Sequence, residues 1–304
     1  MWPMTLGRMT FQPYGILVPL VTPFAADGDL AAADLTRLAH EVIDAGAAGI
    51  VALGTTAEAS TLTADERRDV VRICAAVCRE RDVPLIVGAG GNDTAGTVRT
   101  VTELAERDDI AAVLTVVPYY VRPTEAGVVA HFEYVADRSP LPLILYNVPY
   151  RTGRTLGWEA IARLSRHPRV VGIKQAVGAV DTDTALLFAE AEPSFAILAG
   201  EDTLVSPLLA MGAPGAILAT ANVYPREFVE LHRLWRGGSR EAARSLGNRL
   251  VGPARALMAE PNPTVIKAAL HALGRISTPR VRLPLLPAAV PSILLDPPRV
   301  TTTR

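Results

Sequence analysis

The sequence predicts a parallel (β/α)8 barrel closed by a C-terminal helical extension, and three observations lead there. Short apolar runs rich in valine, isoleucine and leucine recur eight times in residues 15–235, as strands buried on both faces do. Longer stretches of helical periodicity lie between them, so strands and helices alternate rather than cluster. A length of 304 residues holds eight such units and an appendage. The alternative, a doubly wound open sheet, calls for a Gly-x-Gly-x-x-Gly turn after an early strand. The nearest segment, Gly88-Ala-Gly-Gly91, lacks that spacing.

The elements follow in order. Ile16–Val21 reads as the first strand, and Ala31–Ala45 as the helix behind it. Gly49–Leu53 is the second strand. The helix after it, Thr63–Arg81, opens on Thr63-Ala-Asp-Glu66, whose threonine and glutamate three apart form a capping box. Pro84–Val87, Ala111–Val116, Leu143–Tyr146, Val170–Ile173, Ala196–Leu198 and Gly215–Leu218 supply strands three to eight. Helices are expected over Thr94–Arg107, Pro123–Ala136 and Asp202–Met211. The barrel thus occupies residues 15–235. Beyond it, in residues 236–304, Ser239–Met258 and Pro263–Leu273 read as two more helices before a proline-rich tail. No linker there is long enough for an independent domain.

Residues 1–14 form a short arm with one arginine and no apolar core, unlike a signal peptide or anchor. No stretch of eighteen apolar residues runs unbroken, so no membrane partner is expected. A net charge of −1 leaves no basic excess to bind nucleic acid. Cys74 and Cys78 have neither a second cysteine pair nor histidines at ligand spacing. They read as reduced, buried thiols of a cytoplasmic protein rather than as a zinc site.

In a barrel of this kind the chemistry collects at the C-terminal strand ends. Strand two ends in Gly54-Thr55-Thr56-Ala57-Glu58, strand four in Pro118-Tyr119-Tyr120, and strand five in Tyr146-Asn147-Val148-Pro149. Lys174 follows strand six, Gly200-Glu201-Asp202 strand seven, and Ile217 to Asn222 spans the end of strand eight. No histidine stands at a strand end, which excludes a Ser-His-Asp hydrolase and a metal site. Of thirty basic residues only Lys174 and Lys267 are lysines. A desolvated lysine loses its charge readily, and a neutral amine attacks carbonyl carbon. Hydroxyls, phenols and one amine together suit carbinolamine chemistry, in which protons move to and from a carbonyl oxygen and an α-carbon.

These segments resemble the dihydrodipicolinate synthase / N-acetylneuraminate lyase family of class I pyruvate aldolases. The matching motifs are Leu20-Val-Thr-Pro23-Phe, Gly54-Thr-Thr-Ala-Glu58, Pro118-Tyr-Tyr-Val-Arg-Pro123, Tyr146-Asn-Val-Pro-Tyr-Arg-Thr-Gly153, Gly172-Ile-Lys-Gln-Ala176, Gly200-Glu-Asp202 and Pro261-Asn-Pro-Thr-Val-Ile-Lys267. Val281-Arg-Leu-Pro-Leu285 is similar to the family's closing segment. The resemblance implies that Lys174 condenses with the keto group of pyruvate and that Tyr146 is the general acid/base. It implies that Thr55 joins Tyr146 to Tyr120 in a proton relay, with Tyr120 reaching into a neighbouring subunit of a homotetramer built from tight dimers. Thr56 would hold the pyruvate carboxylate, Gly200 and Ile217 would contact substrate through their carbonyls, and no cofactor or metal is implied. Lys267 is expected to be a structural or surface lysine.

Arg151 is the synthase signature, because a guanidinium can hold the carboxylate of an amino-acid aldehyde in a bidentate pair. The resemblance therefore implies condensation of pyruvate with L-aspartate 4-semialdehyde. The alternatives are another pyruvate lyase of the family, acting on a 2-keto-3-deoxy sugar acid or 4-hydroxy-2-oxo acid, and a non-catalytic keto-acid-binding barrel. Four positions depart from the usual pattern: Ala57 for glycine, Ala59 for serine, Tyr150 for a small residue and Gln175 for glutamate. Tyr150, next to Arg151, is expected to reshape the aldehyde pocket.

Overall fold

The computed structural model describes residues 11–294. Residues 1–10 of the expected arm and 295–304 of the expected tail lie outside the described residues. Eight parallel strands close into a barrel in sequence order, each hydrogen-bonded to the next and the eighth to the first. The elements are β1 (Gly15–Pro19), α1 (Ala32–Asp44), β2 (Gly49–Ala52), α2 (Ala64–Glu80), β3 (Leu85–Gly88), α3 (Thr94–Leu104), β4 (Ala112–Val116), α4 (Glu125–Arg138) and β5 (Leu143–Asn147). After them come α5 (Pro149–Thr152), α6 (Trp158–Ser165), β6 (Val170–Gln175), α7 (Thr182–Glu190), β7 (Ala196–Ala199), α8 (Val205–Ala210) and β8 (Gly215–Ile217). Three helices complete the described chain: α9 (Pro225–Arg236), α10 (Arg240–Leu257) and α11 (Thr264–Ala272).

The strands are apolar throughout because both of their faces are buried. Leu17, Val51, Ile86, Ile144, Leu198 and Ile217 point inward and fill the barrel. Their neighbours Ile16, Val18, Ile50, Leu85, Val87 and Leu143 point outward, against the helical ring. Burying each such side chain is worth about 1.5–3 kcal/mol, so the two-sided pattern specifies the closed sheet strongly. The glycines of Gly88-Ala-Gly-Gly91 have a packing reason. A Cβ on Gly88 would lie 2.2 Å from the Leu53 carbonyl oxygen, and one on Gly90 would lie 2.5 Å from the Val116 nitrogen. At both positions backbone meets backbone.

Side-chain caps set several helix starts. The Thr63–Glu66 capping box forms with both bonds present. Thr124 accepts from the Gly127 N–H, so α4 begins after the cap rather than at Pro123. The helix expected over Asp202–Met211 is split. A 3-10 turn occupies Asp202–Leu204, and Leu204 at φ −106°, ψ 8° separates it from α8. The Asp202 carboxylate is the cause, because it is drawn across to the Thr220 N–H and hydroxyl at 2.7 and 2.6 Å. β6 runs two residues past Ile173, so Lys174 sits within the strand, and the Asn147–Gln175 side-chain bond of 3.1 Å marks the true end.

Candidate active site

Neighbouring strands bring Lys174 and Tyr146 together. They are register partners on β6 and β5, and the Lys174 Nζ lies 4.3 Å from the centre of the Tyr146 ring. Both are more than nine-tenths buried. Gly200 follows β7 beside them, and its lack of a side chain is required. A Cβ there would lie 2.7 Å from Lys174 Cγ, 2.9 Å from the Gln175 carbonyl oxygen and 3.1 Å from Ala176 Cβ. The lysine stem thus runs in a slot between two strands, which limits the paths its amine can take.

Two carboxylates share this environment. Burial pushes the Glu201 carboxyl above its ordinary range, the charge of Asp202 adds to that, and the Lys174 charge opposes it. Burial also raises Asp202, against the bonds from Thr220 and the Lys174 charge. The seam beside them is stapled by Asn222, whose amide donates to the carbonyls of Pro19 and Ala219, both at 2.8 Å, and accepts from the Val21 N–H. Ile217 is fully buried at the end of β8.

The segment after β2 forms a short 3-10 turn over Thr55–Ala57, bracketed by Leu53 at φ 53° and Glu58 at φ 52°. Left-handed non-glycine residues cost of order 1–3 kcal/mol each and persist where the surroundings hold them. Here they do. The Thr22 hydroxyl donates to the Ala57 carbonyl at 2.8 Å, and the Asn262 amide donates to the Thr56 hydroxyl oxygen at 2.9 Å. Glu58, fully enclosed, accepts from Lys267 Nζ at 2.7 Å and from the Arg282 N–H at 2.8 Å. Lys267 is therefore a structural lysine with no surface exposure. Burial pulls its ammonium down to about 8, although the carboxylate of Glu58 pulls the other way.

Thr55 is exposed at the mouth, and Thr56 beside it is buried. Tyr120, at φ 69°, is 87% exposed, Tyr119 42% and Tyr150 89%. Among the described residues no side-chain hydrogen bond joins Thr55, Tyr120 and Tyr146 within one chain. Arg151 sits on α5, exposed, with its guanidinium 5.8 Å from the Tyr150 ring and no carboxylate at salt-bridge distance among the described residues. Tyr150 is solvent-exposed beside Arg151. Sequence reasoning missed Asn262 as a neighbour of the site, although it stands in the Pro261–Lys267 motif. Elsewhere, concavities of about 290 Å³ beside Tyr14 and Pro214 and about 340 Å³ between α4 and α6 contain none of the strand-end residues. No three His, Cys, Asp or Glu side chains come together as a metal site among the described residues.

A family model for the dihydrodipicolinate synthetase family matches residues 12–291. The chain belongs to this family. It is 38% identical over 273 residues to the 4-hydroxy-tetrahydrodipicolinate synthase of Methanothrix thermoacetophila, covering 90% of this chain and 91% of that one. To the enzyme of the same name from Methanopyrus kandleri it is 40% identical over 274 residues, covering 89% and 90%. Among solved structures, the dihydrodipicolinate synthase of Thermotoga maritima superposes with a TM-score of 0.88 at 34% identity over 93% and 95% of the two chains. The enzyme of Acinetobacter baumannii, solved with pyruvate, gives 0.86 at 37% identity over 91% and 94%.

Proposed function

We propose that the chain catalyses the 4-hydroxy-tetrahydrodipicolinate synthase reaction, joining pyruvate to L-aspartate 4-semialdehyde with loss of water, on the route to diaminopimelate and lysine. The observation that carries this reading is the buried Lys174 beside the Tyr146 ring, in a family whose named relatives are synthases.

The Lys174 amine adds to C2 of pyruvate, and the carbinolamine loses its oxygen as water to leave an imine. Loss of a proton from C3 gives an enamine, which attacks the aldehyde carbon of the second substrate. That substrate's own amine then adds to the imine carbon and displaces Lys174, closing the ring. Each step moves a proton over the Lys174–C2 centre, and Tyr146 is the phenol beside it. Thr55 passes protons outward toward Tyr120 of a neighbouring subunit. Thr56 binds the pyruvate carboxylate, Arg151 the carboxylate of the aldehyde, and the carbonyls of Gly200 and Ile217 complete the substrate contacts. Covalent activation by lysine supplies the electron sink, so no cofactor is proposed. The exposed Tyr119-Tyr120-Val121 rim supports assembly as a homotetramer built from tight dimers. The enclosed thiols of Cys74 and Cys78, the latter pushed up to about 12 by burial, support a cytoplasmic setting. No described helix is long and apolar enough to cross a membrane.

Borohydride in the presence of pyruvate should add one reduced pyruvate to the peptide carrying Lys174. An adduct on Lys267, or none at all, removes the reading.

A further inference from the structure

The turn that carries Thr56 is fastened from outside the barrel. Asn262, between α10 and α11, is buried, and its Nδ2 donates to Thr56 Oγ1 at 2.9 Å. We propose that Asn262 is a positioning residue that turns the Thr56 hydrogen into the site, as a fixed donor to the substrate carboxylate. This rests on the reading of the site as one for pyruvate.

A threonine hydroxyl has one hydrogen to give and two lone pairs. With one lone pair engaged by the Asn262 amide, the hydrogen points elsewhere, and no acceptor among the described residues takes it. The amide's Oδ1 is buried without a hydrogen-bond partner among the described residues. The two side chains cannot drift apart, because the neighbouring Glu58–Lys267 and Glu58–Arg282 bonds tie the same turn to the same extension.

A purely structural hydrogen bond would give the same distance, so the test separates binding from stability. Asn262→Leu keeps the volume and removes both the donor and the orphaned oxygen. We expect its melting temperature to be unchanged or raised. Half-saturation for pyruvate in borohydride trapping should rise roughly five- to tenfold, the worth of one hydrogen bond of ordinary strength. KM for the aldehyde should stay unchanged, and kcat at saturating pyruvate should stay within about threefold. In a Thr56→Val background the same substitution should add less than about twofold, because the hydroxyl it orients is gone. Asn262→Ala runs through the same cycle if the leucine variant does not fold. Unchanged pyruvate half-saturation, or an equal rise with and without the Thr56 hydroxyl, overturns the proposal. Failure of the unaltered protein to trap pyruvate at Lys174 instead overturns the reading beneath it.

Discussion

Glu66 holds two parts of the molecule at once, and its charge can be weighed by pH. Its Oε2 accepts from the Thr63 N–H at 2.8 Å, completing the cap of α2, and from Arg282 Nη1, also at 2.8 Å. Its Oε1 pairs with Arg282 Nη2. The side chains are only 18% and 22% exposed. Arg282's hydrogen bonds to the carboxylate are the main reason that the group titrates at about 2 rather than 4.5, with the Thr63 N–H and the arginine charge adding to them. Between those values the unfolded chain binds a proton that the folded chain does not, so stability rises with pH across the window. A shift of that size corresponds to about 3 kcal/mol at neutral pH, about 1.4 kcal/mol at pH 3 and almost nothing below pH 2. Glu66→Gln preserves the cap, because the amide oxygen can still accept from Thr63, and removes the charge. Urea unfolding of both proteins should therefore show a deficit of about 2–3 kcal/mol at pH 7 that falls by about half at pH 3. Other carboxylates titrate equally in both proteins and cancel in the difference. A deficit that is constant between pH 7 and pH 3 would refute the assignment of the charge to this clasp.

The other predictions concern the site. Arg151→Ala should leave pyruvate trapping intact and lower kcat/KM for the aldehyde by roughly two orders of magnitude, since breaking a charge-assisted pair that the bound substrate encloses costs about 2–5 kcal/mol; an unchanged value would show that Arg151 does not hold the substrate. Gly200→Ala should slow trapping at Lys174 by about a hundredfold through a misplaced amine, with the protein still folded; a normal trapping rate would show that the slot is not needed. Tyr120→Phe should cost about 10²–10⁴-fold in rate without loss of pyruvate binding. Mixed with inactive Lys174→Ala after dissociation and reassembly, it should regain partial activity, because one site of each mixed dimer then has both residues; a dead mixture of proven mixed dimers places Tyr120 in its own chain's site.

The fold was open to reading because burial on both faces writes itself into every strand. Each of the eight strands lies within two residues of its expected ends. Helix boundaries followed where a capping box marks them, as at Thr63. They failed at Asp202, whose carboxylate prefers a partner eighteen positions away. The site divides along the same line. Lys174 and Tyr146 are the penultimate residues of adjacent strands, and the closed barrel sets them side by side. Thr56 and Asn262 are 206 positions apart, and Glu58 and Lys267 are 209 apart. No periodicity connects such pairs. Nor does composition reveal that Leu53, Glu58 and Tyr120 adopt left-handed backbone, since none is a glycine.

That long-range set changes what the C-terminal extension is for. The alternation of strand and helix ends near residue 235, and a barrel could close there. Yet Glu58 is enclosed almost completely, and both of its hydrogen-bond partners come from beyond that point. Phe24, after β1, is covered by the same two residues, with Lys267 Nζ 4.0 Å and the Arg282 guanidinium 4.2 Å from its ring. Without them a buried carboxylate would stand unpaired, at a cost of about 3–5 kcal/mol. The turn carrying Thr55 and Thr56 would lose two of its fastenings. Strained backbone at Leu53 and Glu58 is tolerated only while the surroundings fix it. The barrel supplies the lysine and the tyrosine on rigid strands, whereas the hydroxyls sit on a turn held by Thr22 on one side and by Asn262, Lys267 and Arg282 on the other. The extension therefore braces the turn on which those hydroxyls sit.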